Sequence, residues 1–97
     1  MFVISITYTK PMSETEQLIE PHILYLNKYY ALHIFLMSDR KEPRTRGVII
    51  ANCQDAKQCQ QIIEEDPFYA AAVASCEITE FCVTRASRPL DLSTLLF

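Results

Sequence analysis

The order in which two hydrophobic periods follow one another constrains the fold of this chain more than any other feature. Phe2 to Thr9 alternates Phe2, Ile4, Ile6 and Tyr8 against Val3, Ser5, Thr7 and Thr9. A period of two in β-branched and aromatic residues predicts a strand. Lys10-Pro11-Met12 breaks it, and Ser13-Glu14-Thr15-Glu16 has the form of a capping box, in which Ser13 and Glu16 satisfy each other's free amides. A helix is expected next, with Leu18, His22, Leu26 and Tyr30 recurring every four residues and Ile19, Ile23 and Tyr25 beside them. Pro21 falls inside this pattern, which predicts a kink or a short break. Ile34 to Ser38 reads as a second strand and Val48 to Cys53, opened by the single glycine Gly47, as a third. Asp55, with Gln58 three residues on, caps a second helix whose inner face is Ala56, Cys59, Ile62, Ile63 and Asp66. Pro67 stops that helix, because the residue before a proline is pushed out of the helical region. Phe68 to Ala74 reads as irregular and Cys76 to Thr84 as the last strand.

The resulting order, β-α-β-β-α-β, is the split arrangement of an α+β, ferredoxin-like fold. Right-handed crossovers put both helices on one face of a four-stranded antiparallel sheet. The other face is left open, yet Ile34 to Met37 and Val48 to Ile50 are apolar on both parities. A homodimer through the open sheet face is therefore expected. With 97 residues, 49% hydrophobic and 22% charged, the chain reads as one domain, 1–97, with a core over 1–85 and a C-terminal tail over 86–97 lying across the partner.

A net charge of -3 lacks the basic footprint of a nucleic-acid binder. No apolar run approaches the roughly 18 to 20 residues a membrane span needs. Met1-Phe2-Val3-Ile4 has no basic segment before it, so it does not read as a signal peptide, and a cytoplasmic protein is expected. Cys53, Cys59, Cys76 and Cys82 form no C-x-x-C pair and read as small buried hydrophobes. Cys76 and Cys82, six apart on one strand, would stand about 20 Å apart, too far for one metal ion.

The residues that carry chemistry gather at two prolines. His22 follows Pro21 at a helix start, where the macrodipole disfavours an imidazolium. A carboxylate alongside would orient the ring and stabilise the cation as it forms, and the two effects together describe a general base. Asp66 ends the second helix against the negative helix end, a placement that calls for a cationic or donor partner such as His22. A satisfied core histidine and a solvent-facing aspartate are the alternatives. His33, at the junction after the first helix, reads as exposed and uninvolved. Asp39 to Arg46 reads either as a solvated loop or as the source of an arginine that holds an anionic group. Metal binding by His22 and Asp66 lacks a third ligand, and no cofactor is expected.

With these residues laid out, the chain resembles the YciI-like family of small dimeric α/β-barrel proteins over nearly its whole length. The marks are Met1-Phe2-Val3-Ile4-Ser5, Pro21-His22 with Leu26 and Tyr29-Tyr30, Phe35-Leu36-Met37-Ser38, Pro43 to Ile49, Glu65-Asp66-Pro67-Phe68 and Ile78-Thr79-Glu80-Phe81. The resemblance implies a dyad of His22 and Asp66 beside a pocket. The sequence departs from the family at Ser38-Asp39-Arg40, where Ser-Gly-Pro is usual, and at Arg46-Gly47, where two glycines are usual. Two functions are consistent with this. One is a cofactor-free lyase or isomerase, in which His22 and Asp66 act on a small cyclic or aromatic acid whose anionic group Ser38 or Arg44 binds. The other is a non-catalytic small-ligand-binding or accessory dimer in which the pair is structural.

Overall fold

The computed structural model describes residues 1–40 and 46–85; Arg44 and the tail over 86–97 lie outside them. The elements run β1 (Phe2–Tyr8), α1 (Met12–Glu16), α2 (Ile19–Ala31), β2 (Phe35–Arg40), β3 (Arg46–Ala51), α3 (Ala56–Glu64), α4 (Pro67–Ala70) and β4 (Ala74–Glu80). The sheet is antiparallel in the order β2-β3-β1-β4, the expected α+β, ferredoxin-like arrangement.

The alternation of β1 decides which face the helices cover. Phe2, Ile4 and Ile6 point inward, opposite Ala51, Ile49 and Gly47 of β3, and are at most 5% exposed. Tyr25, Tyr29, Cys59, Ile62, Ile63 and Phe68 close the core from the helix side. On the other face Val3, Ser5 and Thr7 stand between Ile50, Val48 and Arg46 of β3 and Thr79, Glu77 and Ser75 of β4. A bulge between Phe35 and Met37 shifts the register of β2, so Met37 pairs with Ile50 on the open face while Ser38 pairs with Ile49 on the inner one. The open face is thus apolar around Met37, Val48 and Ile50 and polar around β1 and β4.

The first helix is broken, as Pro21 predicts, but the break comes earlier, at Gln17 and Leu18. Pro21 then falls in the first turn of α2, where its missing amide leaves no helical bond unmade. The capping box of Ser13 and Glu16 does not form: α1 starts at Met12 after Pro11, which puts Ser13 inside the first turn. Ile23 is 47% exposed rather than part of the inner stripe, which runs through His22, Tyr25, Leu26, Tyr29 and Tyr30 at the true helical period. Ala56, expected on the inner face of the second helix, is exposed at its first position.

At α3 the expected cap is present. Asp55 accepts from the Gln58 N–H at 2.8 Å, and the Gln58 side chain accepts from the N–H of Gln54, one residue before the cap. The stretch read as irregular contains α4 and the start of β4, and β4 ends at Glu80, so Cys82 lies past the strand and is exposed. Cys53 and Cys59 are fully buried, as read from the sequence.

α2 and α4 both end in Schellman turns. Ile34 N–H reaches Tyr29 C=O and His33 N–H reaches Tyr30 C=O, while Val73 and Ala72 make the same bonds to Phe68 and Tyr69. His33 (φ 57°) and Ala72 (φ 58°) occupy the left-handed positions that favour glycine.

Candidate active site

The break before α2 and the start of α4 meet at one point. Asp66 is the N-cap of α4, with Pro67 at the first helical position, and its Oδ1 accepts the Phe68 N–H at 3.0 Å. This corrects the view of Asp66 as a carboxylate set against a negative helix end: α3 has already closed on Glu65, and Asp66 sits at the positive end of the next helix. The same Oδ1 lies 2.8 Å from His22 Nδ1. The two side chains are 14% and 4% exposed, so the pair is held largely away from water.

Geometry assigns the proton. A carboxylate oxygen accepts only, so in the neutral ring Nδ1 carries the hydrogen and donates to Asp66, which leaves the lone pair on Nε2. Nε2 has no partner among the described residues. Phe68 fixes the ring plane, its own ring lying 4.0 Å from the imidazole at 11°. Tyr8 packs edge-on against Phe68 at 5.8 Å, and Tyr25 lies 6.1 Å from His22. One residue therefore secures both members of the pair, holding Asp66 through its amide and His22 through its ring. Sequence reasoning missed Phe68, although an aspartate followed by proline is itself the mark of a new helix start whose next amide the aspartate caps.

Burial and the Asp66 charge shape the neighbouring groups. The Tyr25 hydroxyl donates to Ile62 C=O at 2.9 Å, and burial, then Asp66, drive its ionisation well above the ordinary phenol range. Burial, then Asp66, also push the Cys76 thiol up to about 11. Both groups stay protonated at neutral pH, so His22 is the candidate base of this cluster.

Ser38 is placed elsewhere. Its hydroxyl meets the Tyr30 hydroxyl, and Tyr30 stands eight residues, about 12 Å, along α2 from His22. Within one protomer the structure brings His22 and Asp66 together but does not bring Ser38 to them. His33 is exposed and away from the pair. No group of three His, Cys, Asp or Glu side chains converges among the described residues, and none of their helices is long and apolar enough to cross a membrane.

Among solved structures, the chain is similar to 5-chloro-2-hydroxyhydroquinone dehydrochlorinase (TftG) from Burkholderia phenoliruptrix AC1100, in complex with 2,5-dihydroxybenzoquinone. The TM-score is 0.71 at 14% identity, covering 84% of this chain and 94% of that one. That likeness shows a shared fold. No protein of curated function matches the sequence. Residues 1–82 match the YCII-related domain, so the chain belongs to the YCII-related family.

Proposed function

We propose that this protein is a small cofactor-free lyase or isomerase in which His22, oriented by Asp66, is the general base. The observation that carries the reading is the 2.8 Å contact of Nδ1 with a buried carboxylate, which leaves Nε2 as the proton acceptor. Nε2 takes a proton from an acidic carbon of the substrate, and the electron pair moves into a conjugated carbonyl. In an isomerisation the proton returns to another carbon; in an elimination a leaving group departs with its electron pair. A small cyclic or aromatic acid suits this chemistry, and the oxygenated ring bound by the solved neighbour supports that size class. Arg44 is the proposed partner for the anionic group. Ser38, engaged with Tyr30, is not assigned that role. The working form is a cytoplasmic homodimer joined through the apolar part of the open face, around Met37, Val48 and Ile50.

A second reading is favoured by the stacking of His22 on Phe68 and by the capping of α4 by Asp66, since both also describe architecture. In that reading the protein is a non-catalytic ligand-binding or accessory dimer. Thermal-shift screening of wild type and His22→Ala against small carboxylates, phenols and lactones separates a ligand site from a structural pair, and turnover of the compounds it finds separates catalysis from binding alone. A compound that stabilises only the wild type is the expected result and supplies the scaffold for turnover assays, where a positioned base contributes about 10² to 10⁴-fold. If no compound shifts either protein while the variant melts lower by itself, the pair is structural and the enzyme reading fails.

A further inference from the structure

Two thiols lie against each other beneath the turn that leads into α3, on the helix side of the sheet and at the opposite end of α3 from Asp66. Phe2 of β1 pairs with Ala51, the last residue of β3, so the chain leaves the sheet there and Cys53 drops into the core, 0% exposed. Gln54, Asp55, Ala56 and Lys57 pass over it on the surface, and Asp55 caps α3. One turn into the helix Cys59 points back inward, also 0% exposed, with its N–H bonded to Asp55 C=O at 3.1 Å. Both cysteines belong to one core cluster, and their side chains are hydrogen-bonded, Cys59 donating to Cys53. That bond makes the two sulfurs unequal. Acceptance from Cys59 holds the Cys53 thiol below its ordinary value, while donation, then burial, push the Cys59 thiol up. Cys76 and Cys82 differ from them: burial, then Asp66, raise the Cys76 thiol, and Cys82 is exposed beyond β4.

We propose that Cys53 and Cys59 are a redox pair that hydrogen peroxide converts to a disulfide, clamping the start of α3 to the end of β3. The Cys53 thiolate attacks one peroxide oxygen, so that the S–O bond forms, the O–O bond breaks, and the departing hydroxide takes up the proton that Cys53 released. Cys53 is oxidised to a sulfenic acid and the other oxygen leaves as water. The Cys59 sulfur then attacks the Cys53 sulfur: the S–S bond forms, the S–O bond breaks, and the hydroxyl departs as a second water with the Cys59 proton. Two thiols and one peroxide thus give one disulfide and two waters. A buried thiol is ordinarily inert. Here the cover is a turn of four exposed residues, so local opening of that turn, without global unfolding, admits an oxidant as small as peroxide. The bridge closes a ring from 53 to 59 around the Asp55 cap and restricts the unfolded chain, which stabilises the fold. It goes beyond the function proposed for the dyad and does not depend on it.

The test is treatment of the folded, full-length protein with hydrogen peroxide, then digestion without reductant by trypsin and a glutamyl endopeptidase. These cuts put Cys53 in fragment 47–57, Cys59 in 58–64, Cys76 in 66–77 and Cys82 in 81–85. We expect 47–57 joined to 58–64, an intact mass lower by two hydrogens, and separation of the fragments by dithiothreitol. In Cys59→Ala the bridge should be lost and dimedone should trap a sulfenic acid on Cys53. The bridged protein should melt about 5 °C higher than the reduced one. His22→Ala should form the bridge as the wild type does, so failure of the enzyme reading leaves this result standing. The proposal is overturned if Cys53 stays reduced while Cys76 or Cys82 oxidises, if Cys59 joins Cys76 instead, or if the bridge forms only in denaturant. A bridged protein that melts lower would also overturn it, since the bond would then be a lesion and not a clamp.

Discussion

Glu65 and Asp66 are adjacent carboxylates, both take partners from α2, and they do different work. Glu65 is 46% exposed in its side chain and accepts from Lys28 at 3.0 Å and from the Tyr29 hydroxyl. Asp66 is 4% exposed and accepts from His22 and the Phe68 amide through one oxygen. The chain direction between them explains the contrast. Glu65 closes α3 while Asp66 opens α4, so one carboxylate turns out to the helix seam and the other turns in beneath it. Exposure, rather than residue type, separates a strap between helices from a group able to orient a base. An exposed pair is screened by water, whereas a buried acceptor that loses its donors, or a donor that loses its acceptor, carries the desolvation cost alone.

The largest effect should come from breaking the buried side. Asp66→Ala strands the Phe68 amide and the His22 Nδ1–H and should cost about 2 to 4 kcal/mol in chemical denaturation. Asp66→Asn, which keeps an acceptor for the Phe68 amide, should cost less. Next in size is the coupling between partners. A double-mutant cycle of His22→Ala with Asp66→Ala should give about 1 to 2 kcal/mol, against a value near zero for Lys28→Ala with Glu65→Ala. Equal couplings would remove the distinction between the two carboxylates. Tyr29→Phe, which deletes a hydroxyl bonded to Glu65 while keeping the buried ring, should cost about 1 kcal/mol.

The smallest effect is in acid. The Tyr29 hydroxyl first, and Lys28 next, hold the Glu65 carboxyl below its ordinary value of 4.5. The linked stability is fully present above that value and is lost as pH falls through the lower folded-state value. Glu65→Gln should therefore flatten the acid limb of the stability profile slightly, because the half-exposed side chain is screened. A steep loss of that limb in Glu65→Gln would show that Glu65 carries more than a strap.

Much of this was legible because local chemistry and tertiary placement agree. The parity of β1 fixed its inner row, and the order of periods fixed the crossovers. Pro21 marked the helix start that carries His22, and Pro67 marked the close of α3 beside Asp66. What escaped was decided by one-residue shifts. The bulge beside Leu36 moved Met37 out and Ser38 in, where the Ser38 hydroxyl meets Tyr30, about two turns along α2 from His22. A helix of four residues at α4 is too short to show a period, so Asp66 read as an end when it is a beginning, and Phe68 went unnoticed. The two left-handed helix ends were hidden because His33 and Ala72 stand where glycine would have announced them.

The most direct test of the dyad is the protonation state of the two His22 ring nitrogens, read from ¹⁵N shifts and long-range couplings at a pH where the ring is neutral. The expected result is the hydrogen on Nδ1 and a lone pair on Nε2, with the tautomer reversed or mixed in Asp66→Asn. A hydrogen on Nε2 in the wild type would contradict it, since the ring would then turn no base toward a substrate.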